Sequence, residues 1–157
     1  MMVVNSKFKI LPIFITSYIT ILPLLLVYLC VTSPNAGMTL PVVFLLFILF
    51  FWLTVFRTRA HKVSFDKKTI RVKRYFGMGK SKIYDFNRLD GFITMFESGK
   101  LGVSETIFIL EKGKRVGSIS SFYHSNFENL KANLKENLID LGEIESTFKR
   151  ESYLLFK

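Results

Sequence analysis

The apolar and polar positions of the chain fall into two regimes. Residues 10–56 contain no Asp, Glu, Lys, Arg or His. This run divides at TSPNAGM, residues 32–38, a cluster of turn-forming residues. About 22 apolar residues (10–31) precede the cluster and about 18 (39–56) follow it; at ~1.5 Å per residue they reach ~33 and ~27 Å, matching a hydrocarbon core of ~30 Å. The pattern predicts two transmembrane helices in a tight hairpin. A cleaved signal peptide fits poorly, because its apolar region is shorter and no second span follows it directly. Pro23, inside the first span, is expected to kink it.

Beyond Arg59 the period shortens to two. HKVSF places Val63 and Phe65 on one face, and IRVKRYF places Ile70, Val72 and Phe76 on one face with Arg74 interrupting. GMG, residues 77–79, is read as a hairpin turn. KIYDF, GFITMFE, TIFIL and RVGSIS read as four further strands, with SGKLGVSE as a loop and EKGK as a turn. The period then becomes helical. SNFENLKANLKENLIDLG carries Phe127, Leu130, Leu134, Leu138 and Leu141 on one face. Ser125 and Glu128 have capping-box spacing, Asn126 is an alternative cap, and Gly142 stands where a helix-ending glycine belongs. The fold class expected is membrane-anchored α+β: a helical hairpin over residues 1–59, an antiparallel β-sandwich or open barrel capped by an amphipathic helix over 60–142, and a tail over 143–157. The tail holds an apolar cluster, SYLLF, which suits a last strand, a membrane-surface segment or a partner contact.

Charge adds a direction. The chain of 157 residues carries a net +10. Residues 57–82 hold ten Lys or Arg against Asp66 alone, whereas residues 83–157 are close to neutral. Lys7 and Lys9 precede the first span, Arg57, Arg59 and Lys62 follow the second, and the connecting loop has no positive residue. By the positive-inside rule both termini are cytoplasmic. No charge lies within either span, which argues against a transporter, pump or channel built from this chain alone.

The candidate binding residues are Lys67, Lys68, Arg71, Lys73, Arg74, Lys80 and Lys82, all in or beside the first strands. Basic residues near an anionic leaflet gain about 1 kcal/mol each. The same charges also suit a protein partner, or serve only to set topology and protect strand edges. Nucleic acid is not expected, because no stacking motif or recognition helix accompanies the charge. No cofactor or metal is expected: His61 and His124 stand apart from any ligand cluster, His61 being read as interfacial and His124 as a neighbour of the helix start. Cys30 is alone and forms no internal disulfide. FGMGKSK lacks phosphate-loop spacing, and GSISS lacks the nucleophile-elbow pattern.

In element order, and in the segments VSFDKKTIRVKRYFGMGKSKIYDFNRLDGF, IFILEKGKRVGSIS and FYHSNFENLKANL, the chain resembles bacterial membrane proteins with a pleckstrin-homology-like (PH-like) domain. That resemblance implies two N-terminal transmembrane helices, a cytoplasmic PH-like domain and an inner-membrane location. It supplies no substrate and no binding residues. The expected role is a non-enzymatic, membrane-anchored interaction module, an accessory or scaffold subunit contacting anionic lipid, a protein partner or another copy of itself. An immunity protein against a membrane-acting toxin is the alternative.

Overall fold

The computed structural model describes residues 4–33, 37–99 and 102–145. Strand β1, Val4–Asn5, comes first, followed by helix α1, Ile10–Thr32. Helix α2, Thr39–Arg59, runs three residues past the expected end of its span. Both helices are long and apolar enough to cross a membrane. Their flanks leave Phe14, Tyr28, Leu46 and Leu53 exposed. α1 continues through Pro23. α2 widens to a π-helix over Trp52–Phe56 before closing as α-helix. There Trp52 Nε1 donates to Thr20 Oγ1 of α1 at 3.1 Å, tying the two helices together. Residues 34–36 of the expected turn lie outside the described residues.

Strands β2 (Lys62–Phe65), β3 (Thr69–Lys73) and β4 (Ser81–Asp85) join β1 in an antiparallel sheet of order β1-β2-β3-β4. Val4 pairs with Phe65 and Asn5 with Ser64. The helical hairpin is therefore an insertion between two adjacent strands of one sheet. Its first residues, read from the sequence as part of the hairpin alone, are bonded to the sheet. Val4 was not legible as a strand because a two-residue pairing leaves no alternation to read.

Strands β5 (Gly91–Gly99), β6 (Gly102–Glu111), β7 (Lys114–Ser120) and β8 (Asp140–Glu145) form the second sheet, of order β7-β6-β5-β8. The β5–β6 ladder extends to Gly99 opposite Gly102, so most of the segment expected to be a loop is strand. Helix α3, Phe127–Asn137, lies between β7 and β8 in the chain. Val63, Phe65, Ile70 and Val72 of the first sheet share one core with Phe92, Ile107, Ile109 and Ile119 of the second and with Phe127, Leu130 and Leu134 of α3. The amphipathic face expected of that helix is thus the face that closes the core.

The end of α3 departs from the sequence expectation. Leu138 is extended, and Leu141 and Gly142 belong to β8, which pairs parallel with β5. Phe92 N donates to Ile139 O at 3.0 Å, so the chain gains ladder bonds on β5 in place of another helical turn. Gly91 permits this approach: a Cβ there would lie 2.4 Å from Ile139 O, and its φ is +145°. Nor does the expected capping box form. Asn126 accepts from Lys7 N at 2.9 Å and donates to Asn5 O at 2.9 Å, and Ser125 Oγ donates to Lys7 O. These side chains fasten the N-terminal segment rather than the helix. The SYLLF cluster lies outside the described residues.

Candidate functional site

The site begins at the joint between α2 and the sheets. His61 is 2% exposed and so is not interfacial; His124, 1% exposed, does stand in the turn before the helix start but is buried there. Ser118 N donates to His61 Nδ1 at 2.9 Å, which places the ring proton on Nε2, 2.9 Å from Arg57 O. His124 repeats the pattern: its Nδ1 accepts from Ser120 N, and its Nε2 donates to His61 O at 2.9 Å. Each neutral imidazole satisfies one backbone donor and one backbone acceptor in the interior. Burial drives both pKa values down, that of His61 to about 4, with the charges of Arg115 and Arg74 adding to the effect. The histidines are structural braces. Their sequence signal was weak, because a brace needs only one ring in the right place and no repeated spacing.

Aromatic side chains fill the space around the braces. Phe56 and Tyr123 are buried among Phe8, Trp52, Tyr75 and Phe76. Phe76 packs on Phe8, Phe56 and Tyr123 at ring-centroid distances of 5.1, 5.9 and 5.9 Å. To reach them the β3–β4 turn begins earlier than GMG. Tyr75 and Phe76 both have positive φ, 53° and 54°. Two bulky residues in the left-handed region cost about 1–2 kcal/mol each. Phe76 N donates to Ala60 O at 2.7 Å, and the docked rings offset the remaining strain. Phe76 therefore serves the joint and not the β3 face expected for it.

Six of the seven basic residues singled out above fall into two groups, and Arg71 lies between them. In the sheet register Lys73 stands opposite both Lys62 and Ser81, and Arg71 opposite Ser64 and Ile83. These residues line the outer surface of the first sheet. Lys82 pairs with Val72 on the other face, at the rim of a cavity of about 220 Å³ that Arg74, Tyr75, Lys80, Lys82 and Tyr84 also line. Lys73, Arg74, Lys80 and Lys82 thus gather at the joint end, together with Lys62, which the sequence assigned to topology alone, while Arg71 stands midway along β3. Lys67 and Lys68 lie in the β2–β3 turn, at the far end of β3, beside Asp85 and Arg88. The five residues of β3 put ~17 Å between the groups.

The gathered charge has no ion-pair partner among the described residues, and none of the seven makes an ion pair there; the pairs are Arg59–Glu97, Arg88–Asp85 and Lys131–Glu105. Lys62 directly opposite Lys73 is a like-charge pair, which destabilises a ladder. Arg115, over the ring of Phe108, is held down to about 10 by burial and by the charges of Arg59 and Arg74. Burial raises the Tyr84 pKa, so its hydroxyl stays a donor at the cavity wall. Such a surface suits an anion carrying several oxygens. Among the described residues no group of three or more His, Cys, Asp or Glu is placed to hold a metal ion.

Comparison of the chain with family models, with curated proteins and with solved structures finds no match in any of the three.

Proposed function

We propose that this protein is a non-enzymatic, membrane-anchored interaction module with a PH-like domain on the cytoplasmic face of a bacterial inner membrane. The observation that carries this reading is the rooting of the apolar hairpin. α1 follows β1 and α2 precedes β2, and the end of α2 is bonded to β7 through Ser118 and His61. The domain is held at the ends of two helices whose length and composition fit a bilayer. Lys7, Lys9, Arg57 and Arg59 lie at that same end, which the positive-inside rule assigns to the cytoplasm. The sheet order, closed by α3, fits the PH-like layout, with β8 as an addition.

The basic collar of Lys62, Lys73, Arg74, Lys80 and Lys82 then faces the anionic leaflet. With the domain already tethered, weak contacts suffice to hold lipid there. The test is native mass spectrometry of the full-length chain purified from membranes in mild detergent. Phosphatidylglycerol or cardiolipin should remain bound, and should be largely lost when Arg74, Lys80 and Lys82 are changed to Ala. A stoichiometric protein that co-purifies, and is lost in the same variant, would make the collar a protein-docking face instead.

A further inference from the structure

The β3–β4 turn has a depth as well as a charge. Tyr75 lies against Trp52, with ring centroids 6.0 Å apart. Trp52 is not at the end of its helix. It precedes Arg57, the first charge after the uncharged run, by ~7 Å along the axis at ~1.5 Å per residue. A long helical side chain also leans back toward the N-terminus of its helix, here farther from Arg57. The bond from Trp52 Nε1 to Thr20 Oγ1 fixes the indole at that level. The Tyr75 ring therefore reaches the uncharged part of the hairpin, while the backbone of the turn is held at the charged end, where Phe76 N bonds to Ala60 O.

The rest of the turn matches this position. Gly77 N and Gly79 N both donate to Arg74 O, which closes the turn into a narrow tip. At the tip Met78 is 71% exposed and touches no core cluster. Arg74 and Lys80 flank the neck, and Lys82 follows on β4. Apolar at its tip and basic at its neck, the turn has the side-chain order of segments that sit ~5–10 Å into the boundary between headgroups and acyl chains. Tyr and Trp prefer that level. The bond from Phe76 N to Ala60 O and the packed Phe76 ring hold the turn in place.

We infer that this turn is lipid-seated at its tip, with Met78 among the upper acyl carbons, the Tyr75 ring beside Trp52 at the same boundary, and Arg74 and Lys80 at the phosphates. This rests on the anchor reading above and adds a defined depth and attitude for the domain. The full-length chain, with Cys30→Ser, is labelled with an environment-sensitive fluorophore at Met78→Cys, at Phe47→Cys on the exposed flank of α2, or at Asn87→Cys beyond β4. Each is reconstituted in vesicles of phosphatidylcholine and phosphatidylglycerol containing lipids spin-labelled at the headgroup or along the acyl chain. All three positions are exposed, and the Phe47 label gives up a ring contact with Phe51 on the same helix. The Met78 label should be quenched several-fold more than the Asn87 label, most strongly by shallow spin labels, and the Phe47 label by deep ones. Quenching at Phe47 with Met78 no different from Asn87 overturns the lipid-seated tip and leaves the anchor standing. No quenching at either Phe47 or Met78 overturns both.

Discussion

Ser118 Oγ donates to the backbone carbonyl of Thr58 at 3.0 Å, linking residues 60 positions apart. The same hydroxyl lies 3.2 Å from Arg59 O, and the Ser118 amide holds His61. One strand residue thus secures the last turn of α2 and the chain that leaves it. The connection between helices and sheets is a packed joint, not a linker.

Replacing His61 with Ala should therefore cost more than one hydrogen bond. Ser118 N and Arg57 O would both lose their partner in the interior. A buried unpaired group costs about 1–3 kcal/mol, so a loss of roughly 3 kcal/mol or more is expected from denaturation of the solubilised full-length chain. A change below about 0.5 kcal/mol would show that water replaces the imidazole freely.

Acid should loosen the same joint. The folded state holds His61 neutral down to about pH 4, whereas the unfolded chain takes up its proton near the ordinary value of 6.5. Stability is then complete above pH 6.5, falls as the pH drops from 6.5 toward 4, and levels off below it for this group. The loss is roughly 3 kcal/mol at the bottom of that window. In His61→Gln the slope of stability against pH between 6.5 and 4 should be clearly shallower.

Gly91→Ala addresses β8. The new methyl would meet Ile139 O in a backbone conformation unfavourable to alanine. A destabilisation of about 2 kcal/mol or more is expected. Amide exchange at Phe92, which donates to Ile139 O, should accelerate most. Unchanged exchange there would mean that β8 does not depend on this glycine.

Asn126→Ala removes both of its bonds to the N-terminal segment. Protection of the Lys7 amide should fall about tenfold, the equivalent of ~1.4 kcal/mol. The helix amides of α3 should change far less, since the Asn126 side chain does not cap that helix.

Lys73→Glu separates stability from binding. It converts the Lys62–Lys73 like-charge pair into an attractive one, which should stabilise the sheet by about 0.5 kcal/mol. Retention of anionic lipid should decrease in the same variant. Loss of both stability and lipid would assign Lys73 a packing role instead.

How much of this was legible in the sequence depends on the range of the cause. The two apolar helices and the face of Phe127, Leu130 and Leu134 follow from local periodicity, and both stand in the structure. The strands of Val63, Phe65, Ile70 and Val72 were visible for the same reason. The parallel strand β8 was not. Its residues extend a helical pattern, and only the free edge of β5 makes a strand the better choice. The basic residues were visible as a group because charge is local. Their division into two sets was not, because β3 places Lys67 and Lys68 at one end and Lys73 and Arg74 at the other. The histidine braces depend on partners 57 and 63 positions away, beyond any motif.

The insertion of the helical hairpin between β1 and β2 also sets an order of events during synthesis. β1 leaves the ribosome before either helix, and its pairing partner emerges only after both. The first sheet cannot be completed until the segments of α1 and α2 have been synthesised. Closing so long a loop in an unstructured chain carries a substantial entropic cost. Two antiparallel helices reduce it, because they return the chain to the level of Lys9 before Val63 arrives to meet Ser6. Formation of the helices thus favours completion of the sheet, in which β1 covers the edge of β2.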